Sequence, residues 1–246
     1  MFFSRKLVAP KTGAIVAGSI FLPVYFFGLS IVLGLLFYFL DIDTTATHGM
    51  FVMQFVHSSV TVIAVLLIFR NFLKDSIAPL GERSFGRFML DLVIGYGACV
   101  IMANTLAIVY EALSITPPNE NNDLVFEMLL HKPIPMAFTV VILAPIIEEC
   151  LFRGILFAPL CRKCPIAAYI VSSVVFAGLH IIAGIGVNTP FELFLCFLQY
   201  LPHSLVLAWV YQRTRSIWGS IALHAMINAI STVGMFATSL LENLGG

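Results

Sequence analysis

The stretch IIEECLFRG, residues 146–154, sets Glu148, Glu149 and Arg153 inside a run that is otherwise apolar on both sides, FTVVILAP before it and ILFAPL after it. Two further groups of the same kind follow. His180 closes FAGLH (176–180), and HAMIN (224–228) carries His224 and Asn228. An ionisable side chain in a membrane helix costs about 2.5–3.5 kcal/mol even on mild insertion scales, so each is a functional-site hypothesis. Two carboxylates, two imidazoles, a guanidinium and a carboxamide are the parts needed for hydrolysis: a base that takes a proton from water, and donors that hold a developing oxyanion.

Spacing distributes these parts. Glu149 and Arg153 are i and i+4, share one helix face and can pair. Glu148 is rotated by about 100° from that face and is the carboxylate without a local partner, which suits a general base or acid. His224 and Asn228 are again i and i+4, placed to donate together to an oxyanion. Taken singly, the Glu149–Arg153 pair could equally be a buried ion pair that fixes helix packing. His180 alone could be a helix-bridging hydrogen bonder. The constellation is what points to chemistry.

The elements that must position these residues are membrane helices. Of the 246 residues, 60% are hydrophobic and 11% charged, with a mean hydropathy of +1.00. The fold class expected is an all-α polytopic transmembrane bundle of about seven spans, at 14–40, 51–69, 88–110, 134–160, 165–187, 191–211 and 217–241, since about 20 apolar residues cross a bilayer. Pro23 offers a kink in the first. An eighth span would need DLVFEMLLH (123–131), which is too short to cross and is expected to lie at the interface or re-enter. Residues 1–133 read as N-terminal helices and a loop, 134–241 as the catalytic core and 242–246 as a tail. No internal repeat or soluble domain is visible.

Arg5, Lys6 and Lys11, then Arg70, Lys74, Arg83 and Arg87, then Arg153, Arg162 and Lys163 at or just after the end of the fourth span, and finally Arg213 and Arg215 all fall on one side of this layout. Lys132 is alone on the other, with Asp41, Asp43, Glu111, Glu120, Asp123 and Glu127. The positive-inside rule then puts the N-terminus in the cytoplasm, and the chain reads as a multi-pass protein of the cell membrane. Trp209 and Trp218 fall near the cytoplasmic ends of their spans, where interfacial aromatics belong. At 1.5 Å per residue from the cytoplasmic ends, Glu148 lies about 18 Å deep, Glu149 and Asn228 about 16 Å, His180 about 22 Å and His224 about 10 Å. These groups converge near mid-membrane. Gln199 and His203 would line the same cavity or a path to it, whereas His57 and Asp91 lie nearer span ends and are left outside the site.

EECLFR (148–153), FAGLH (176–180) and HAMIN (224–228) resemble the EExxxR, FxxxH and HxxxN motifs of the CPBP family, the intramembrane proteases grouped as CAAX prenyl protease type II and bacteriocin-processing (Abi) proteins. The resemblance covers 134–241. It implies a multi-pass peptidase in which Glu148, helped by His180, activates water. It further implies that Glu149 and Arg153 position the site, that His224 and Asn228 stabilise the oxyanion, and that Phe176 packs.

The expected partners are a membrane-associated or lipid-modified peptide and the bilayer. Zero net charge gives no signal for nucleic acid. Oligomeric state is open. Metal-free glutamate catalysis is favoured over zinc, which two His and a Glu could bind, because no HExxH is present. CRKC (161–164) is one CxxC without a second pair and reads as a reduced turn. Two other classes compete with the peptidase: a non-catalytic peptide-binding or immunity factor, and a proton-coupled transporter. The second lacks the repeated halves such proteins often show.

Overall fold

The computed structural model describes residues 7–245, with side chains through 241. Arg5, Lys6 and the side chains of the 242–246 tail lie outside the described residues. Among those described, eight helices carry the fold, and the only extended pairing is an isolated bridge between Ile185 and Asn188. The helices are α1 (Thr12–Phe39), α2 (Thr47–Gly81), α3 (Phe85–Ala112), α4 (Glu120–His131), α5 (133–163), α6 (Pro165–His180), α7 (Pro190–Thr214) and α8 (Ile217–Gly245). Five of them, α1, α2, α3, α7 and α8, are long and apolar enough to cross a membrane. Ile20, Leu67, Ile101, Ile108 and Val233, each about two-thirds exposed, show how apolar the outside of this bundle is. A contiguous surface of that kind needs lipid rather than water.

The chain's most buried element is α5. From Cys150 to Phe157 every residue but Leu156 is buried, Arg153 completely. Leu151 and Phe157 pack with Val65, Phe69 and Phe72 of α2 and with Tyr211 and Ile217 near the α7–α8 turn. This helix is not uniformly α. Residues Thr139–Leu143 and Cys150–Phe157 are π-helical, and the glutamate pair closes the α-helical stretch Ala144–Glu149 between them. Prolines explain part of this. The Ala144 N–H goes back to Thr139 O, and the next residue, Pro145, has no N–H to give, so the Val140 carbonyl loses its helical partner. In α1 the π-helical stretch Val24–Gly28 begins directly after Pro23, the residue expected to offer a kink.

One of the expected spans changes. The fifth, 165–187, stops being helical at His180: residues 182–184 form a 3₁₀ turn, and Gly186 sits at φ +86°, a conformation that favours glycine. The segment expected to lie at the interface is the twelve-residue α4, amphipathic enough to bury Met128 and Leu129 against Phe51 and Met136.

The two ends of the bundle differ in charge. At one, Asp91 is buried between Arg83 and Arg213, Arg215 pairs with Glu82 at 2.7 Å, and the Trp218 indole donates to Leu73 O. At the other, Thr47 meets Glu127, His48 Nδ1 lies 3.3 Å from His131 Nε2, and the Tyr110 hydroxyl donates to Leu195 O. Asp91, left outside the site by the sequence reading, is thus a clamp between α3 and α7.

The α7–α8 turn is buried: Thr214, Ser216 and Ile217 are fully inaccessible. Arg213 and Arg215 beside it still reach the surface, and the α5–α6 turn is exposed at Arg162, Lys163 and Cys164. His180 and His224 both face Glu148 Oε2, at 3.7 and 3.8 Å, so the expected convergence is met. A Cβ at Gly219 would stand 2.3 Å from Thr214 Oγ1, which is held by its bond to Val210 O. Gly219→Ala is expected to shift the start of α8 and destabilise the fold by about 1–3 kcal/mol. Thermal unfolding in detergent checks this as a melting point lower by several degrees.

Candidate active site

Glu148 projects from α5 into a cavity of about 460 Å³ that is also lined by His180, His203, His224 and Asn228. Its Oε2 is buried and has no hydrogen-bond partner among the described residues. Two imidazole nitrogens face that atom: His180 Nε2 at 3.7 Å and His224 Nε2 at 3.8 Å. Both distances exceed a direct hydrogen bond and match a gap that a bridging water can fill.

The far side of each ring fixes its proton. His180 Nδ1 lies 2.8 Å from Phe176 O, a carbonyl that can only accept, so Nδ1 carries hydrogen and the neutral ring offers its Nε2 lone pair to the cavity. Phe176 also stacks on this ring, with centroids 4.3 Å apart. His224 Nδ1 lies 3.0 Å from Glu149 Oε1 and donates to it, which leaves its Nε2 towards Glu148.

Glu149 and Arg153 form the i,i+4 pair, Arg153 Nε to Glu149 Oε2 at 3.2 Å, with both side chains fully buried. Arg153 Nη2 donates to Ser204 O (3.0 Å) and Ser204 Oγ (3.2 Å), and its Cζ lies 4.9 Å from the centre of the Phe176 ring. The Ser220 hydroxyl meets Glu149 Oε2 from α8. One guanidinium thus joins α5, α6 and α7, and one carboxylate joins α5 and α8. Asn228 Nδ2 donates to Val140 O at 2.8 Å, the carbonyl orphaned by Pro145. This spends one of its two N–H bonds and orients the amide, and Asn228 still lines the cavity.

All six candidate residues therefore come together: Glu148, His180, His224 and Asn228 on the cavity, Glu149 and Arg153 behind it. Gln199 and His203 line the same space. Several members were not singled out in the sequence. Ser204 and Ser220 are single hydroxyls in apolar helices, too common there to stand out. Asn119, Asn121 and Asn122 lie outside the apolar runs, where polar side chains are ordinary. In the structure the Tyr200 hydroxyl donates to Asn119 Oδ1 at 2.7 Å, and Asn119 Nδ2 donates to Gln199 Oε1 at 2.9 Å, so the start of α4 roofs the cavity. No group of three His, Cys, Asp or Glu side chains among the described residues is arranged to hold a metal ion. Of the CRKC cysteines, Cys161 is buried beside Gln212 and Cys164 is exposed at the turn.

Residues 130–230 match the family described as "Type II CAAX prenyl endopeptidase Rce1-like". Over this segment the chain is similar to that family. The matched Rce1-like segment holds all six residues described above. Among curated proteins, the chain is 25% identical over 193 residues to "Putative membrane peptidase YdiL" of Bacillus subtilis, covering 78% of this chain and 74% of that one. It is 34% identical over 121 residues to "UPF0177 protein in abiGi 5'region" of Lactococcus lactis subsp. cremoris, and 38% identical over 91 residues to "UPF0177 protein YbdJ" of Lactococcus lactis subsp. lactis. These matches span 47% and 35% of the two Lactococcus proteins. No solved structure matches at comparable significance.

Proposed function

We propose that this chain is an intramembrane endopeptidase that cuts a peptide bond of a membrane-associated or lipid-modified peptide, with 134–241 as its catalytic core. The observation that carries the reading is the pair of imidazole nitrogens set 3.7 and 3.8 Å from an unpartnered Glu148 Oε2 in a cavity large enough for a peptide segment.

A water held between Glu148 and His180 donates one hydrogen to the carboxylate and the other to the imidazole Nε2. Its oxygen lone pair then faces the scissile carbonyl. As the O–C bond forms, the proton passes to Glu148. The carbonyl oxygen becomes an oxyanion that takes the second N–H of Asn228 and, when its ring is protonated, Nε2–H of His224. Glu148 returns the proton to the leaving nitrogen as the C–N bond breaks, which gives a free amine and a carboxylic acid, and the acid's proton passes to His180 Nε2 to leave a carboxylate. Glu149 and Arg153 are positioning residues: Glu149 holds His224 through Nδ1, and Arg153 holds Glu149. No step is routed through a metal ion.

In the bilayer, α1, α2, α3, α5, α7 and α8 cross. Helix α6, of sixteen residues or about 24 Å, completes its crossing with the 181–188 turn, giving seven crossings with α4 at the surface. The basic end faces the cytoplasm, as does the N-terminus.

The test is cleavage of a membrane-peptide library by the purified protein in liposomes, with new termini read by mass spectrometry. Site-specific cuts are expected, and they are expected to persist in a chelator. Binding without any cut, across substrates, would return the chain to the peptide-binding class.

A further inference from the structure

The cavity is not closed on all sides. Towards the basic end, α3 and α8 pack together with α7 through Leu92, Cys99, Val206, Leu223 and Ile227. The far end of α3 is tied to α7 by Tyr110 and Leu195, while the far end of α8, at Met235 and Phe236, packs with Phe51, Met128 and Met136 of α2, α4 and α5. Between those two attachments the cavity is lined by Ala103, Leu106 and Ala107 of α3 and by Ser231, Thr232 and Met235 of α8, and Ala107 and Ser231 are exposed as well as cavity-lining. The small side chains at 107 and 231 mark the gap through which the cavity meets the outside of the bundle. Its depth leads to Glu148.

The gap lies wholly in the half of the bundle away from the basic end. The charge of that end of the bundle is acidic. Glu111 ends α3, and Glu120 and Asp123 alternate with the asparagines that roof the cavity. Among the described residues of that end, Lys132 is the lone Lys or Arg. Inside, the lining carries amides, hydroxyls and imidazoles, with Glu148 as its one carboxylate and no Lys or Arg.

We propose that the substrate reaches Glu148 sideways from the non-cytoplasmic half of the bilayer, through the gap between α3 and α8, and that it carries basic residues beside the segment that is cut. The proposal rests on the peptidase reading for the peptide and on the positive-inside orientation for the side. An acidic rim concentrates a cationic peptide and disfavours an anionic one, an effect that salt weakens. The uncharged lining accepts the cut segment without requiring a charge on it.

Cysteine labelling in cells tests the side without any cleavage. Ala107→Cys and Ser231→Cys, each in a Cys164→Ser background, are expected to react with a membrane-impermeant maleimide in intact cells. Native Cys164, at the α5–α6 turn, is expected to react only after permeabilisation. The reverse pattern, or no reaction at either lip before permeabilisation, overturns the proposal. The occupant is tested in Glu148→Gln protein, where the peptide survives: an apolar peptide with two flanking lysines on each side should slow labelling of Ser231→Cys at least five-fold at low salt. The same peptide with aspartate flanks should leave it unchanged. Equal protection by both peptides, or by neither, overturns the charge preference. Should the labelling hold while the wild-type protein never cuts, the peptidase reading fails and the route stands.

Discussion

Glu148→Gln is expected to reduce cleavage by about 10²–10⁴-fold, the range a positioned general base contributes, while leaving the fold intact. The substitution keeps shape and volume and removes only the capacity to take a proton. Glu148 Oε2 has no hydrogen-bond partner among the described residues and belongs to no ion pair at hydrogen-bond distance, so an amide there strands nothing. Helical content and melting temperature should therefore match wild type, and the loss should fall on kcat rather than on peptide binding. His180→Ala should cost less than Glu148→Gln, because it removes one of two acceptors for the water's protons. Cleavage at wild-type rate by well-folded Glu148→Gln protein would sink the assignment of the base.

Much of this site is legible in the sequence because the membrane makes polarity conspicuous. In an apolar helix, Glu148, Glu149 and Arg153 have no bland explanation, and i,i+4 spacing alone pairs Glu149 with Arg153, as the 3.2 Å contact bears out. The five long apolar helices were equally readable, since hydropathy over a sufficient length is the whole signal. What sequence periodicity cannot carry is register. The π-helical stretches on either side of Glu148 depend on which carbonyl each N–H chooses, and Pro145 constrains only one such choice. Counting depth along each helix was enough to bring His180, His224 and Glu148 together, as the 3.7 and 3.8 Å distances to Glu148 Oε2 bear out. The role of Asn119 was hidden because its partners, Tyr200 and Gln199, lie some eighty positions away and neither is unusual where it stands.

Arg153→Met is expected to damage the whole protein rather than the chemistry alone. Removing one member of a buried pair leaves the other uncompensated, at a cost of about 3–5 kcal/mol. Glu149 would keep Ser220 and His224 as partners but lose its one permanent cation. Ser204 and Phe176 would lose the guanidinium that joins α7 and α6 to α5. Low yield and a strongly lowered melting temperature in detergent are the expected readout. The double variant Glu149→Gln/Arg153→Met separates stability from function, because it removes both charges at once and substitutes groups of similar size. It should recover most of the melting temperature, since a buried ion pair exchanged for neutral residues is often neutral in stability. It should not recover cleavage. An amide at 149 no longer supplies the charge that supports a protonated His224, and it replaces one of the two acceptor oxygens with a donor, so the Nδ1 proton is held less firmly. A double variant that regained both stability and cleavage would make the pair a packing device and would shift the orientation of His224 onto other residues.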